Sequence, residues 1–185
     1  DDMAFSHPRT PTVQRLEAVI SGEECLGYKQ EIASATMQFD KLMPQFLRNP
    51  IVDGVPVESE NKIEGFTVVG ADNWYDIENQ TVNYFRQASV EDTIPVRNVR
   101  SVGNNYTVFA TETFIDEVSQ EIGVDPMAFR LNYLNGVGIN AGSNTPASYG
   151  GGKRLANVLK IASGLANYGL ENLGEYEGLG IAITG

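Results

Sequence analysis

A single cysteine, Cys25, and a single histidine, His7, are all the thiol and imidazole groups this chain offers. One cysteine excludes an internal disulfide and a cysteine-built metal cage. One histidine excludes a multi-histidine metal site, and a histidine-based catalytic triad would have to rest on His7. That residue sits beside Pro8 near the terminus and reads as a surface residue. Cations are scarce too. Thirteen Lys and Arg stand against 24 Asp and Glu, a formal net charge of −11. Such a surface repels a phosphate backbone, and no stripe of Lys and Arg overrides it, so nucleic acid is excluded as a partner. No apolar run approaches the roughly 20 residues that span a bilayer, so no membrane span is expected in this chain. No signal peptide is visible. Both ends, Asp1-Asp2-Met3 and "GLGIAITG", read as cut from something longer.

What is present suffices for a core: 185 residues, 42% of them hydrophobic. Val13 to Ile20 alternates Leu16, Ala18 and Ile20 with Arg15, Glu17 and Val19, the pattern of a half-buried strand. Ser21-Gly22-Glu23-Glu24 is a turn, and Cys25 to Ala35 returns as the second strand of a hairpin. Cys25 there reads as a small structural residue. Phe39 to Leu47 suggests a short helix, and Val52-Asp53-Gly54-Val55 a hairpin turn. Tyr75 to Asn79 turns into a strand that runs to Ala88, with Val82, Tyr84 and Arg86 on one face.

From Tyr106 the period becomes helical. Val108, Phe109, Ile115, Val118 and Ile122 mark an apolar face, Phe114 its edge, and Glu112, Asp116, Glu117 and Glu121 a mostly solvated face. Glu112 stands apart, one turn in from the helix start. Gly123 stops this helix, and Asp125-Pro126 opens the next, which runs to about Leu134. After a Gly/Ser/Asn-rich loop, Lys153 to Tyr168 forms a third helix with Leu155, Val158, Leu159, Ala162, Leu165 and Ala166 on one face, and "GLGIAITG" reads as a final strand. Strands first and helices after argue an α+β fold, an antiparallel hairpin or sheet in the N-terminal half packed with about three C-terminal helices.

Two stretches could bind an anion. "YGGGKR" at Tyr149 to Arg154 lacks the P-loop spacing and reads as a loop capping a helix. "VRNVRSVGNN", Val96 to Asn105, puts Arg97, Arg100 and a small-residue turn ahead of the best helix in the chain. A helix start offers free N–H donors and partial positive charge, and arginine adds a guanidinium fork. Either a site for an anionic cofactor or a loop paired with the abundant carboxylates fits these residues.

The longer stretch "VPVRNVRSVGNNYTVFATETFIDEVSQEIGVDPMAFRLNYL" resembles the molybdopterin-binding large subunit of the xanthine dehydrogenase and aldehyde oxidase family. The branch it looks most like is the isoquinoline 1-oxidoreductase beta subunit. That branch carries an Arg-Ser-Val-Gly turn, a helix of the form "xxFAxExFIDExA", then "GxDPxxFRLxxL". Here these are Arg100 to Gly103, Phe109 to Glu117 and Gly123 to Leu134. "YDIEN" at Tyr75 to Asn79 matches the family's "YDIPN" with Glu78 in place of Pro, and Arg97-Asn98-Val99 and Asn104 also depart from the common pattern.

The resemblance implies that residues 1–185 are an internal fragment of a molybdopterin-binding domain. Residues 1–92 would be mainly strands, and 93–185 a cofactor-facing turn with helices and a final strand. It implies that Arg100, Ser101, Val102 and Gly103 contact the cofactor and that Val102 borders the substrate pocket. It places the catalytic glutamate beyond this chain, so neither a catalytic residue nor a metal ligand is expected within it. The parent would hydroxylate an aldehyde or N-heteroaromatic carbon with oxygen from water. An iron–sulfur small subunit would take the electrons, and the remainder of the large subunit would complete the site. The isolated chain would be inactive and bind no cofactor. The compartment is not readable from these residues, though the branch leans towards the periplasm. Two other readings stand beside this one: a non-catalytic domain of the same ancestry used for binding or subunit association, and a free-standing acidic adaptor.

Overall fold

The alternation at the N-terminus forms the expected hairpin. In a computed structural model that describes residues 8–36, 51–52, 55–56, 65–94, 96, 99–135, 151–169 and 173–185, β1 (Thr12–Ser21) pairs antiparallel with β2 (Glu24–Ser34). The register runs from Thr12 opposite Ser34 to Ser21 opposite Glu24, with a slip between Val19 and Ile20. Gly22 takes φ +60° in the connecting turn, a conformation other residues enter at a cost. Two short strands, β3 (Ile51–Val52) and β4 (Val55–Pro56), flank the expected second hairpin turn and pair antiparallel. The expected helix at Phe39–Leu47 lies outside the described residues.

The third strand of the main sheet departs from an all-antiparallel arrangement. β5 (Asn79–Arg86) lies beside β2 and runs parallel to it, giving the order β1-β2-β5. A parallel neighbour needs a long crossover, and residues 35–78 supply it. Within that crossover, α1 (Gly65–Val68) is a single turn. The stretch 75–78 then lays Tyr75 and Ile77, both 2% exposed, into the core before β5 begins. A short α2 (Ala88–Thr93) follows β5.

The helical half begins with α3 (Asn104–Ile122). It ends at Gly123, which takes φ +78° and donates its N–H back to the Gln120 carbonyl, as its C-terminal position demands. Asp125 then caps α4 (Pro126–Tyr133), accepting the N–H groups of Met127 and Ala128 at 3.0 and 2.9 Å. α5 (Gly152–Leu165) packs on α4. The core gathers Cys25 and Tyr28 from β2, Ile115 and Val118 from α3, Phe129 from α4, Leu134 just after it, and Leu155 and Leu159 from α5. The chain is α+β.

Three details correct the pattern read from sequence. Phe109, placed on the apolar face of α3, is 71% exposed, because the face turned inward carries Thr107, Thr111, Glu112, Ile115, Val118 and Ser119. Polar side chains can occupy that face because neighbouring elements supply their partners. On α5, Leu155 and Leu159 are buried as expected, but Val158 and Leu165 are 54% and 82% exposed; only the N-terminal half of that helix meets the core. The final segment, residues 178–185, has no ladder partner among the described residues and is not a strand. Its Ile181 and Ile183 nevertheless pack on the core. Phe109→Ser should change the stability of the chain by no more than about 0.5 kcal/mol, read from urea denaturation midpoints.

Candidate functional site

The turn before α3 is built by strain. Ser101 and Val102 take φ +75° and +49°, consecutive left-handed residues with no glycine between them. A β-branched residue at positive φ is an outlier that costs on the order of 1–3 kcal/mol and persists only where its surroundings hold it. The Val102 N–H closes the turn on the Val99 carbonyl at 2.9 Å. Gly103, the glycine of the turn, is in ordinary helical geometry at φ −68° and is buried. Its carbonyl instead accepts the N–H groups of Tyr106 and Thr107 at 3.1 and 3.0 Å and the Thr107 hydroxyl at 2.9 Å.

Of the four residues singled out, Arg100 and Ser101 are exposed, Val102 is half-buried and Gly103 buried. The Arg100 carbonyl accepts from Arg9 Nη1 at 3.1 Å. Among the described residues no side-chain oxygen caps α3, and its first turn holds no acidic residue. Among these residues nothing offsets the positive end of this 19-residue helix, which starts beside an arginine. At "YGGGKR", Tyr149 and Gly150 lie outside the described residues; Lys153 and Arg154 are exposed on the first turn of α5.

The helix behind this turn is held on two sides. On one, a chain of hydrogen bonds ties the sheet to α3. Gln14 Nε2 donates to the Tyr106 carbonyl at 2.8 Å, Gln30 Nε2 to Gln14 Oε1 at 2.8 Å, and the Tyr28 hydroxyl to Gln30 Oε1 at 3.0 Å. The Tyr28 and Thr111 hydroxyls then meet at 3.1 Å. Burial pushes the Tyr28 hydroxyl well above its ordinary pKa, so it stays protonated. On the other side Gly70, at φ +86°, lies against the start of the helix. A Cβ there would come within 2.2 Å of Asn104 Oδ1 and 2.9 Å of Val108 Cγ2, so only glycine fits. The Thr107 hydroxyl also lies 2.7 Å from the neighbouring Val69 carbonyl, so its single proton is shared between that oxygen and the Gly103 carbonyl.

Glu112, which stands apart from the other carboxylates of α3 one turn in from its start, is buried at 5% exposure. Its Oε1 accepts the Tyr75 hydroxyl at 2.8 Å; its Oε2 accepts Arg130 Nε at 3.0 Å and the Ile183 N–H at 2.9 Å. Arg130, fully buried, spends every guanidinium donor. Nη1 reaches Asp116 Oδ1 at 2.6 Å and the Pro126 carbonyl at 3.1 Å, while Nη2 reaches the carbonyls of Glu112 at 3.1 Å and Ile181 at 3.0 Å. Burial pushes the Glu112 carboxyl above its ordinary range, outweighing Arg130, the Ile183 N–H and the Tyr75 hydroxyl, which pull it down. Burial also works against the Arg130 cation, but Tyr75, Glu112 and Asp116 more than offset it, so the guanidinium stays charged. The pair ties α3, α4 and the segment 181–183 together. It is a structural clamp, its two carboxylate oxygens accepting from three donors of the protein itself. The signal was in the sequence: Glu112 lies three residues before Ile115, a spacing that puts both on one helix face.

Cys25 is buried at the end of the sheet, its N–H donating to the Tyr133 hydroxyl at 2.6 Å. Burial raises its thiol pKa, which suits a packing role. Among the described residues no group of His, Cys, Asp or Glu is arranged to hold a metal ion, and no helix is long and apolar enough to cross a membrane.

Comparison with known proteins addresses the same stretch. A family model described as "Molybdopterin cofactor-binding domain" matches residues 53–134, which include the strained turn, α3 and α4. The whole chain aligns at 31% identity over 184 residues with a protein of Gluconacetobacter polyoxogenes named "Membrane-bound aldehyde dehydrogenase [pyrroloquinoline-quinone]". The chain spans 23% of the length of that relative. The family match takes in the Arg-Ser-Val-Gly turn and the helices it introduces, the same residues whose motifs resemble the molybdenum hydroxylases. Residues 53–134 of the chain thus belong with the molybdopterin cofactor-binding domains, the family whose model they match.

Proposed function

We propose that Arg100, Ser101, Val102 and Gly103 form one wall of a molybdopterin site in a longer oxidoreductase subunit. The observation that carries this reading is the pair of left-handed non-glycine residues, Ser101 and Val102, held at the uncapped start of α3. Strain of this kind concentrates where a backbone must present itself to a ligand. The residues fit the cofactor. Molybdopterin carries a phosphate, and a long helix start without an acidic residue, next to an exposed arginine, favours an anion. The exposed Ser101 hydroxyl adds a donor or an acceptor for a polar ring edge.

Within that site the chain's own residues bind and orient. Arg100 would pair with an anionic group of the cofactor through its planar fork. Gly103, its carbonyl fixed by the N–H groups of Tyr106 and Thr107, would hold the turn rigidly to the helix. Val102 would face the substrate side as a small apolar contact. Bound there, molybdopterin would supply the molybdenum centre that takes up the electrons of the oxidation. The reaction we infer is hydroxylation of an aldehyde or N-heteroaromatic carbon with oxygen from water. Iron–sulfur clusters in a partner subunit would carry the electrons away. The general base belongs to another part of the subunit, and this chain alone would be inactive.

The relative's name gives pyrroloquinoline quinone as its cofactor. That quinone is also anionic and would suit the same helix start, but the family description that covers the turn itself names molybdopterin. Arg100→Ala in the protein that carries this chain should lower bound molybdenum and pterin several-fold while leaving its thermal midpoint within about 2 °C. Unchanged molybdenum content and turnover would remove the assignment of this turn. Recovery of pyrroloquinoline quinone without molybdenum from the wild-type protein would remove molybdopterin.

A further inference from the structure

Beside α3 lies a cavity of about 240 Å³. None of Arg100–Gly103 lines it, although the adjoining Asn104 does. Its walls come from the stretch 69–75, from Asn104, Val108, Thr111 and Glu112 of α3, and from the end of the chain at Ile183–Gly185. The end segment is a built wall. The Ile183 N–H is held by Glu112 and the Ile181 carbonyl by Arg130. Gly185 lies so close to Trp74 that a Cβ would stand 2.6 Å from its indole Nε1.

One polar atom in these walls has nothing to bind among the described residues. Asn73 is 6% exposed, and its Oδ1 accepts the Tyr75 N–H at 3.1 Å. Its Nδ2 is buried with no hydrogen-bond partner. Buried amide donors are otherwise nearly always paired. The other buried polar groups of the cavity satisfy one another: Thr111 with Tyr28, and Glu112 with Tyr75, Arg130 and Ile183. The Asn104 carboxamide, at the same wall, makes no side-chain hydrogen bond among the described residues.

We propose that this cavity binds a small neutral molecule bearing a carboxamide, whose carbonyl oxygen accepts from Asn73 Nδ2. The chemistry of the walls selects that class. An anion would meet Glu112 and Asp72, both at the cavity, in a chain of net charge −11. A cation could pair with Asp72 at the wall, but it brings no acceptor for the Asn73 donor. A hydrocarbon leaves the Asn73 donor orphaned. A carboxamide meets the Asn73 donor with its oxygen and brings N–H groups for the Asn104 oxygen. Val69, Val108 and Leu155 take its carbon substituent.

The test uses the nitrogen-labelled protein that carries this chain, titrated with acetamide and, in parallel, with acetate. Acetamide should shift the Asn73 side-chain NH₂ and Trp74 indole resonances saturably, and acetate should not. Asn73→Asp keeps an oxygen for the Tyr75 N–H and removes the donor, so it should weaken acetamide binding at least about tenfold. The absence of saturable shifts with acetamide, or equal binding by the variant, would overturn the proposal. Should the variant fail to fold, intermolecular contacts between the acetamide methyl and the Val108 methyls in the wild-type chain decide: their presence supports the site and their absence overturns it.

Discussion

Arg130→Met should destabilise the chain by about 3–5 kcal/mol, the largest single-residue effect we expect. Methionine fills a similar volume, so the loss comes from charge and hydrogen bonds rather than from a cavity. The guanidinium satisfies the Glu112 carboxylate and the carbonyls of Glu112, Pro126 and Ile181, and pairs with Asp116. Removing it leaves the Glu112 carboxylate buried without its cation, and that residual charge is the costly part. Arg130→Lys should recover only a fraction, because an ammonium lacks the planar fork that reaches α3, α4 and residue 181 together. Urea denaturation at pH 7 measures both variants; a loss under about 1 kcal/mol for Arg130→Met would show that the clamp is not what holds these elements. The pH dependence is a second readout. In the variant the folded Glu112 carboxyl lies further above its unfolded value. The stability it favours is fully present below the unfolded pKa and is lost as pH rises through the folded one. The gap to wild type should therefore narrow on acidification and widen towards neutrality.

Ile115→Ala should cost about 2–5 kcal/mol. Ile115 is 1% exposed, at the point where α3 meets the core shared by Tyr75, Phe129 and Leu134. Its removal deletes buried methylene and methyl groups and leaves a cavity that rigid neighbours on the sheet, α3 and α4 fill poorly. The contrast with Phe109 on the same helix is the sharper test. Phenylalanine is the larger apolar residue, yet Phe109→Ser should be nearly silent in the chain, since its ring is 71% exposed. Equal losses at the two positions would mean that the face of α3 is wrongly assigned.

That contrast marks the boundary between what sequence patterns reveal and what they hide. The hairpin of β1 and β2 was legible because a period of two and a glycine turn are local properties. The ends of α3 and α4 were legible for the same reason: Gly123 and the Asp125-Pro126 pair act through hydrogen bonds within a few residues. The face of α3 was misread because hydrophobicity was taken as the marker of burial. Thr107, Thr111 and Glu112 go inside because Val69, Tyr28, Tyr75 and Arg130 meet their polar atoms. The Arg-Ser-Val-Gly turn was legible as a candidate from its order and its position before a helix. That Ser101 and Val102, rather than Gly103, take the left-handed conformation was not.

The sequence by itself determined the α+β order, the hairpin, the start and stop of the long helices, and the motif of the molybdopterin-binding family. Each follows from side-chain period, capping chemistry or a contiguous string of residues. The tertiary structure alone decided that β5 joins the sheet parallel to β2, and that Glu112 and Arg130 meet from separate helices. It also decided that the end of the chain is held by their hydrogen bonds rather than by a ladder. The reason is energetic: a buried polar or charged group is tolerable only when partners from distant parts of the chain arrive together, and no local pattern records their arrival.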